Sequence, residues 1–471
     1  MQKTKMIFTI GPASDNEETL SKFMDIGMSA ARLNFSHGDH ASHKEKIDLI
    51  KKLRKEKNTS TAIILDIKGP KIRTHNFIND GVELVKGQSF SFICGTQILG
   101  DESHCSISYD ELYKDVEIGG TILVDDGLLK FKIVNIIGKE IKCTVTVGGM
   151  IKNHKGVNVP NVKIKLPSIT EKDIEDIKFG CKMGVDFIAA SFIRKAEDIL
   201  DVRKVLKENG GENIKIIAKI ESQEGVDNVD SILEVTDAIM VARGDMGVEI
   251  PIEKVPIIQK SIIKKCNKAG KVVITATQML DSMIRNSMPT RAEASDICNA
   301  IFDGTDAIML SGESASGNFP IEAAKTMSRI AIEAESNLDY THLLTESSNS
   351  LTDCADAISY STCKTSMILD AKAIVAATKS GATAKLVSKY RPKSPIIAIT
   401  PYEEVERSLA LNYGVFPVQC ATFNTTEEII QEARKTALNL GLAEKGDSII
   451  VAAGMPTTYT GGTNMLKIEK L

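Results

Sequence analysis

The segment IIAKIES (216–222) joins an apolar run to two opposite charges, Lys219 and Glu221. Alternate residues of a strand point to the same side, so we expect both side chains to lie on one face at the end of a strand. A lone charged residue at such a position is ordinarily a salt bridge or a helix cap. A pair of opposite charges can also serve a phosphoryl group and its metal ion, because phosphoryl transfer depends mainly on positioning and charge neutralisation.

Glu221 and Asp245 follow successive strand-like segments and form a second pair of interest. Mg²⁺ commonly takes one or two protein carboxylates together with substrate oxygens and water. Gly244, within RGDMG (243–247), allows backbone N–H groups to approach an anion closely. Two unrelated helix-capping carboxylates are the alternative. We predict that Glu221 and Asp245 hold Mg²⁺, for which Mn²⁺ is a chemically acceptable substitute.

Other strand-like segments also end in polar or charged residues. In ARLNFS (31–36), Arg32, Asn34 and Ser36 alternate and are expected to share a face. The charged residues predicted to converge at one end of the sheet are Arg32, Asp66, Arg73, Lys219, Glu221, Arg243 and Asp245. Buried charges are costly unless they are paired or bound to a ligand. Their repetition therefore favours a mixed-charge pocket for an anionic substrate held with a metal.

Two hydroxyl-bearing segments follow later strands. Thr275 and Thr277 alternate in TATQML (275–280), and Ser311 lies in LSGES (310–314). A threonine at a strand end is usually structural, whereas beside a reactive group it can orient a water or relay a proton. The spacing leaves both interpretations open for Thr277.

Composition restricts the class of protein. The chain has 471 residues, of which 42% are apolar and 25% charged, and its net charge is −4. This length exceeds the usual limit of about 250–300 residues for one core, so two or three domains are expected. The charge favours small-molecule partners over nucleic acid. Nine scattered cysteines, no recognisable signal peptide and no apolar run of roughly 18 residues predict a cytoplasmic protein without a membrane segment.

The order of the segments indicates the fold. Three strand-plus-helix units precede Gly69, and five follow Pro167. Eight consecutive units of this kind predict a TIM barrel, whose chemistry lies on the loops after the strands. Strand-like pieces with turn signals such as Asp126-Gly127 lie between the two sets and indicate an inserted β domain. A Ser/Thr/Asn-rich stretch near 340–353 precedes a third, α/β unit.

Several long segments resemble motifs of the pyruvate kinase family. In chain order they are RLNFSHG, KGPKIRT, GVNVP, ASFIRK, KIES, MVARGDMGVEI, ATQMLDSM, PTRAEASD and DAIMLSGESASG. The resemblance covers nearly the whole chain and implies the transfer of the phosphoryl group of phosphoenolpyruvate to ADP, giving pyruvate and ATP in the final step of glycolysis. Because the chain starts almost directly in the first barrel strand, a prokaryotic-type member is expected.

The resemblance also implies a domain arrangement. The family combines a (β/α)8 TIM barrel, an inserted β-barrel lid domain and a C-terminal α/β regulatory domain. We assign residues 1–69 and 168–340 to the barrel, 70–167 to the lid and 341–471 to the C-terminal domain. A homotetramer is what the family implies, and the extra C-terminal domain of some bacterial relatives is not expected.

Site roles follow from the same resemblance. The positions matching substrate contacts are Arg32, Gly244, Asp245 and Thr277. The positions implied to act in catalysis are Lys219, Thr277, Arg32 and Ser311. Lys219 would stabilise the phosphoryl group in flight, whereas Thr277 and Ser311 would serve a water-mediated proton route. The positions matching nucleotide contacts are Asn34, His37, Arg73 and Lys155.

A monovalent-cation site is implied at Asn34, Ser36, Asp66 and the backbone of Ile67. The segment DIKGPKIR departs from members that require K⁺, because Lys71 stands where they usually carry glutamate. A lysine ammonium could supply the charge that K⁺ otherwise provides. We therefore expect activity to depend little on K⁺. The alternative is a solvated lysine that leaves the cation site working.

The C-terminal segment VAATKSGATAKLVSKYRP leads from a strand into a helix. Backbone N–H groups and the side chains of Thr378, Lys379, Ser380 and Thr383 could bind the phosphate of an effector, as family members do here. A plain Ser/Gly turn is the alternative. The later loop 452–464 lacks the arginine and tryptophan of the fructose-1,6-bisphosphate-responsive type, so the effector stays open.

Two rival functions remain for the chain as a whole. A different Mg²⁺ barrel enzyme, such as a lyase acting on pyruvate or phosphoenolpyruvate, would need Glu221 and Asp245 but not Lys219 or a lid carrying Lys155. A catalytically silent metabolite sensor could lose Lys219, Glu221 or Thr277, and the chain retains all three.

Overall fold

The computed structural model describes residues 2–160, 162–347, 352–455 and 462–471. The first part of the chain alternates strands and helices. In order, these elements are β1 (Lys5–Thr9), α1 (Glu17–Ile26), β2 (Met28–Asn34), α2 (His40–Glu56) and β3 (Ala62–Asp66).

The chain then leaves this unit and forms the lid. Its elements are β4 (Ile72–Arg73), β5 (Gly81–Leu84), β6 (Ser89–Ile93), β7 (His104–Ser106), α3 (Leu112–Asp115), β8 (Thr121–Val124), β9 (Leu129–Ile137), β10 (Glu140–Val147), β11 (Gly149–Lys152) and β12 (Gly156–Asn158). Seven strands form one sheet in the order β4-β12-β8-β9-β10-β6-β7, and β11 pairs with β5. The predicted turn at Asp126-Gly127 joins the antiparallel strands β8 and β9.

The alternation then resumes with five further strands. The elements are α4 (Glu171–Met183), β13 (Phe187–Ala190), α5 (Ala196–Glu208), β14 (Lys215–Ile220), α6 (Gln223–Asp227), α7 (Val229–Val235), β15 (Ala238–Ala242), α8 (Arg243–Glu249), α9 (Val255–Ala269), β16 (Val272–Ala276), α10 (Arg291–Phe302), β17 (Ala307–Leu310), α11 (Gly312–Ala315) and α12 (Pro320–Ser336). Short 3₁₀ turns lie at Ile78–Asp80, Ile252–Lys254 and Asp281–Ile284.

Eight of these strands close into one parallel barrel, in the order β1-β17-β16-β15-β14-β13-β3-β2. The prediction of three strands before the insertion and five after it is confirmed. The strands are mostly apolar on both faces because one face fills the barrel interior and the other packs against the surrounding helices.

The C-terminal unit is a second α/β layer. Its elements are α13 (Tyr340–Ser347), α14 (Cys354–Ile368), β18 (Ala373–Ala377), α15 (Ala382–Lys389), β19 (Ile396–Thr400), α16 (Glu403–Ser408), β20 (Val415–Gln419), α17 (Thr426–Asn439), β21 (Ser448–Ala453) and β22 (Met465–Lys470). The sheet order is β20-β19-β18-β21-β22, with β22 antiparallel. Ala410 and Leu411 of this unit join the hydrophobic cluster inside the barrel, so the unit closes the amino-terminal end of the barrel.

Helix starts follow local side-chain chemistry near the site. Thr170 and Asp173 form a capping box at α4, since each side chain accepts the backbone N–H of the other residue. Thr290 and Glu293 do the same at α10. These caps fix where the loops between strands and helices end.

Candidate active site

The carboxyl ends of the barrel strands hold a buried charge cluster around Asp66. Arg32 Nε donates to Asp66 Oδ2 at 2.6 Å, and Lys219 Nζ donates to Asp66 Oδ1 at 3.2 Å. Arg32 is also fixed by a hydrogen bond from its Nη1 to Thr9 Oγ1 at 3.0 Å. The structure therefore brings together three of the charged residues that the strand ends predicted to converge.

Glu221 lies beside this cluster and is fully buried. Its Oε1 lies 3.1 Å from Lys219 Nζ in an ion pair, but the geometry makes no hydrogen bond, and Oε1 accepts none from any other described residue. Its Oε2 accepts the backbone N–H of Phe192 at 2.7 Å. Lys219 and Glu221 thus share a face, and one carboxylate oxygen keeps an unused acceptor position.

The pKa values of this cluster reflect burial and mutual attraction. Burial favours neutral Asp66, yet Arg32 and Lys219 outweigh it and hold the pKa of Asp66 below its usual value. Burial opposes the charge of Lys219, but Asp66 and Glu221 raise its pKa. Burial raises the pKa of Glu221, Lys219 opposes this and Asp245 adds to it. Lys219 is therefore a permanent cation, and Glu221 is a carboxylate that a further cation would stabilise.

Two residues of this site were missed by the sequence interpretation. Ser191 Oγ accepts from Lys219 Nζ at 2.7 Å and donates to the carbonyl of Ile67 at 2.8 Å. Phe192 supplies its N–H to Glu221 from a left-handed backbone with φ of 56°. A polar residue directly after the apolar strand β13 was the available signal for Ser191, whereas a backbone N–H leaves no trace in a sequence.

Asp245 lies on the first turn of α8 with 32% of its side chain exposed. The neighbouring N–H of Gly244 donates to Thr277 Oγ1 at 2.8 Å, and this hydroxyl donates to the carbonyl of Ala276 at 2.6 Å. Thr277 itself has a positive φ of 68°. The loop after β16 is therefore held against the start of α8, and the Thr277 hydroxyl has a defined orientation.

Arg243 supports this loop instead of lining the pocket. Its guanidinium donates to the carbonyl of Thr277 at 2.7 Å and to Asp296 Oδ1 at 2.7 Å. The expectation that Arg243 converges with the other charges on the substrate pocket is corrected accordingly, because its donors are used by loop carbonyls and by α10.

Ser311 Oγ is buried without a hydrogen-bond partner among the described residues.

Lys71 reaches from the lid to the barrel. Its Nζ donates to Asp245 Oδ1 at 2.9 Å and lies 3.4 Å from Asp126 Oδ1. Burial opposes its charge, but Asp245 outweighs this and raises the pKa of Lys71. The ammonium therefore lies against one of the two predicted metal carboxylates.

The predicted nucleotide residues lie on both sides of the cleft. On the lid, Arg73 Nη1 donates to the carbonyl of His154 at 2.9 Å, and Lys155 Nζ pairs with Asp125 at 2.8 Å. On the barrel, Asn34 Oδ1 accepts the N–H of the exposed Ser36 at 3.1 Å, and the N–H of His37 donates to the carbonyl of Asn34.

Three members of the predicted monovalent site, Asn34, Asp66 and Ile67, already have hydrogen-bond partners. Asn34 stands opposite Asp66 in the pairing of β2 with β3. The Asp66 oxygens are used by Arg32 and Lys219, and the Ile67 carbonyl accepts from Ser191.

The effector loop of the C-terminal unit is compact. Thr378 Oγ1 accepts the N–H of Gly381 at 2.9 Å, and Thr383 Oγ1 accepts from Thr463 Oγ1 at 2.9 Å. Lys379 is half-buried and Ser380 is exposed. Positions 456–461 of the later loop 452–464, whose composition left the effector open, lie outside the described residues.

Comparisons with known proteins agree over the whole chain. The family described as "Pyruvate kinase, barrel domain" matches residues 1–324, and "Pyruvate kinase, alpha/beta domain" matches residues 356–469. A pyruvate kinase of Clostridium perfringens is 69% identical over 474 residues and covers 100% of both chains. One of Clostridium acetobutylicum is 58% identical and covers 100% of this chain and 99% of the relative. The crystal structure of a pyruvate kinase from Cryptosporidium parvum matches with a TM-score of 0.95 at 42% identity, over 100% of this chain and 96% of that one.

Proposed function

The chain belongs to the pyruvate kinase family, and we propose that its barrel mouth transfers the phosphoryl group of phosphoenolpyruvate to ADP, giving pyruvate and ATP in glycolysis. It is a phosphotransferase. The observation that carries the assignment of residues is the buried pairing of Lys219 with a Glu221 carboxylate that keeps a free acceptor position. A sensor without turnover would have no need to hold these charges together in the interior, where such an arrangement is costly.

Glu221 and Asp245 are the proposed ligands of Mg²⁺. Glu221 Oε1, which accepts no hydrogen bond from the described residues, and the partly exposed carboxylate of Asp245 are hard oxygen donors of the kind Mg²⁺ prefers. Among the described residues, no group of three or more Asp, Glu, His or Cys side chains could hold a metal, so substrate oxygens and water would complete the shell. Bound there, Mg²⁺, or Mn²⁺ in its place, would neutralise charge on the transferring phosphoryl group and the enolate.

Lys219 and Arg32 are the proposed cationic groups that bind the phosphoryl oxygens. Asp66 and Ser191 hold the Lys219 ammonium, and its raised pKa keeps it charged at neutral pH. Arg32 is anchored through Nε and Nη1, which leaves donors of Nη2 for the substrate. Because both side chains are fixed before substrate binds, little reorganisation is needed during transfer.

Thr277 and Ser311 are the proposed route for the proton that converts the enolate to pyruvate. The Thr277 hydroxyl is oriented by Gly244 and Ala276, and the Ser311 hydroxyl is buried with no partner among the described residues. A hydroxyl of this kind can pass a proton through a bound water. The N–H groups near Gly244 and the carboxylate of Asp245 would fix the pyruvate portion of the substrate.

The nucleotide is proposed to bind between the lid and the barrel. Arg73 and Lys155 offer cations from the lid, whereas Asn34 and His37 offer polar contacts from the loop after β2. Among the described residues Lys155 forms an ion pair only with the partly exposed Asp125, so exchanging that partner for a phosphate would cost little.

The K⁺ requirement is proposed to be weak because Lys71 provides a permanent cation at the mouth. Its ammonium lies 2.9 Å from Asp245 and its pKa is raised, so it stays charged throughout the neutral range. The family-type site at Asn34, Ser36, Asp66 and Ile67 would then be dispensable.

The deciding experiment measures pyruvate formation from phosphoenolpyruvate, ADP and Mg²⁺ in K⁺-free buffer and in buffer with K⁺. We expect similar activity in both, and we expect Lys71→Glu to need K⁺. Lys132→Glu, at an exposed lid lysine of β9, is the matched control and should behave like the wild type. Activity of the wild type only with K⁺ would remove the role of Lys71 but keep the function. No activity in either buffer would contradict the function itself.

We also propose an effector site, an assembly state and a cellular location for the protein. Thr378, Lys379, Ser380 and Thr383 are proposed to bind a phosphorylated effector, and a homotetramer is proposed from family membership. No helix among the described residues is long and apolar enough to cross a membrane. The nine cysteines, all within the described residues, form no disulfide, which supports a cytoplasmic location.

A further inference from the structure

Both connections between the lid and the barrel pass over one short segment, residues 191–194, which we call the hinge loop. The incoming connection turns at Gly69, whose φ is 68° and where an added Cβ would lie 2.9 Å from Ser191 and 3.3 Å from the Phe192 ring. The N–H of Gly69 is held by Asp173 Oδ1 at 3.1 Å. The incoming chain therefore lies directly on the first half of the hinge loop.

Arg194 holds the outgoing connection. Its Nη1 donates to the carbonyl of Ile164 at 2.7 Å, and its Nη2 donates to the carbonyl of Leu166 at 2.8 Å. Ile164 and Leu166 pack their side chains against the hydrophobic core of the lid. The planar guanidinium thus joins residues packed on the lid core to the barrel, with Asp198 as its buried counter-charge at 3.6 Å.

The other half of the hinge loop contacts the proposed reaction site. Ser191 Oγ accepts from Lys219, and Phe192 N–H donates to Glu221 Oε2. The N–H of Ile193 donates to the carbonyl of Lys219 at 3.3 Å. Phe192 adopts a positive φ that a non-glycine residue rarely takes without outside constraint, and the contacts on either side supply that constraint.

We propose that Arg194 is a positioning residue that couples the orientation of the lid to the metal carboxylate Glu221 through the backbone of the hinge loop. Only one residue, Ile193, lies between Phe192, whose N–H orients Glu221, and Arg194, which binds the outgoing connection of the lid. A shift of the outgoing connection therefore moves that N–H, and with it the carboxylate. This inference rests on the proposed role of Glu221 as a metal ligand.

If its role were purely structural, Arg194 would only stabilise the start of α5 through its ion pair with Asp198. That role predicts lower thermal stability and unchanged metal binding. Coupling predicts weaker metal binding even where the fold is retained, because partners that orient a ligand typically change metal affinity by roughly 10- to 100-fold.

The test compares the full-length wild type with Arg194→Lys, Arg194→Gln and Arg203→Gln. Arg203 is a matched control, since it also donates to a backbone carbonyl, that of Val235 at 3.0 Å, but has no hydrogen bond or ion pair with Glu221 or with the described residues of the lid. Mn²⁺ binding to the free protein is followed by electron paramagnetic resonance, the Mg²⁺ dependence by kcat, and the fold by the midpoint of thermal unfolding.

We expect both Arg194 variants to bind Mn²⁺ about tenfold more weakly and to need more Mg²⁺ for half-maximal rate, with Arg203→Gln within twofold of wild type. If Arg194→Gln does not fold, Arg194→Lys, which keeps the positive charge beside Asp198, still tests the proposed coupling. Wild-type Mn²⁺ affinity in a folded Arg194 variant, or an equal loss in Arg203→Gln, would overturn the coupling. An inactive wild type would instead remove the proposed function, while the Mn²⁺ comparison would still test the hinge loop.

Discussion

The two ends of the barrel both carry carboxylates at strand termini, but the partners of these carboxylates differ. At the amino-terminal floor, Asp186, Asp237 and Asp306 each stand one residue before a strand. Each accepts a backbone N–H of the adjacent strand, from Ile63, Ile216 and Val273 respectively, at 2.8 to 2.9 Å. At the mouth, Asp66, Glu221 and Asp245 face mainly lysine and arginine side chains.

Arginine side chains form ion pairs with these three carboxylates at the floor of the barrel. Arg54 and Arg407 bind Asp186, Arg203 binds Asp237, and Arg391 binds Asp306. Two of these arginines, Arg391 and Arg407, come from the C-terminal unit, so the same carboxylates fasten that unit to the barrel.

The difference separates structural from functional charge. A carboxylate bound by a strand N–H cannot change partners without leaving that N–H unpaired, whereas one bound by side chains can exchange them for a ligand. Glu221, which keeps an oxygen without a hydrogen bond, is the clearest case at the mouth. This agrees with the general rule that barrels carry chemistry at the carboxyl ends of strands and stability at the other end.

The largest expected effect is at the mouth. Lys219→Met should lower kcat by roughly 10²–10³, with a smaller change in substrate binding, because one preorganised charge beside the transferring group is lost. Lys271→Met removes a floor lysine that donates to the carbonyl of Thr236 and should leave kcat within twofold. Steady-state kinetics measure both, and an unchanged kcat for Lys219→Met would exclude its proposed role.

At the floor, Asp306→Asn should have the opposite effects: it should lower stability and leave kcat nearly unchanged. The buried Arg391 loses its counter-charge, and breaking such a pair costs about 3 kcal/mol of stability. The midpoint of thermal unfolding should fall, while kcat of the folded protein should stay within twofold. Asp370→Asn, at a carboxylate 74% exposed beside Lys372, is the control and should change neither quantity. A large loss of kcat in folded Asp306→Asn would contradict the assignment of structural carboxylates to the floor and functional carboxylates to the mouth.

A smaller effect is expected in the pH dependence of stability. Burial, opposed by Glu335, lowers the pKa of Lys5 to about 8, against the ordinary value of 10.5. The unfolded chain therefore holds more protons than the folded one between about pH 8 and 10.5, so the free energy of unfolding should rise with pH across this range. Lys5→Met should make the rise smaller.

Lys3 should limit how much Lys5→Met alters the pH dependence of the free energy of unfolding. Its pKa is also lowered to about 8, chiefly by burial, so part of the slope should remain in Lys5→Met. Thermal midpoints recorded from pH 7 to 10.5 provide the measurement. An identical slope in wild type and variant would show that the Lys5 ammonium, which donates to the carbonyl of Val415, is stabilised better than burial suggests.

The fold was largely predictable because periodicity reports burial. Continuous apolar runs are typical of parallel strands covered on both faces, and their number and order led to the eight-stranded barrel that the structure contains. The alternation of Lys219 and Glu221 likewise predicted their common face, since side-chain direction in a strand follows from spacing alone.

The site was predictable only in part. Arg243 has the same residue type and strand-end position as the mouth charges, yet its guanidinium supports the loop carbonyls of Ala276 and Thr277. Lys71 belongs to the lid in sequence but reaches Asp245 across the cleft. Phe192 acts through its backbone, which every residue possesses.

The sequence by itself determined which residues carry charge, which strand each follows and which side of that strand each faces, because these properties are local. The tertiary structure alone decided which charges are neutralised by the sheet and which remain available, because that depends on neighbouring strands and on connections distant in the chain. Asp306 and Glu221 are both carboxylates beside barrel strands. Asp306 accepts the backbone N–H groups of Val273 and Tyr413, whereas Oε1 of Glu221 accepts no hydrogen bond from the described residues.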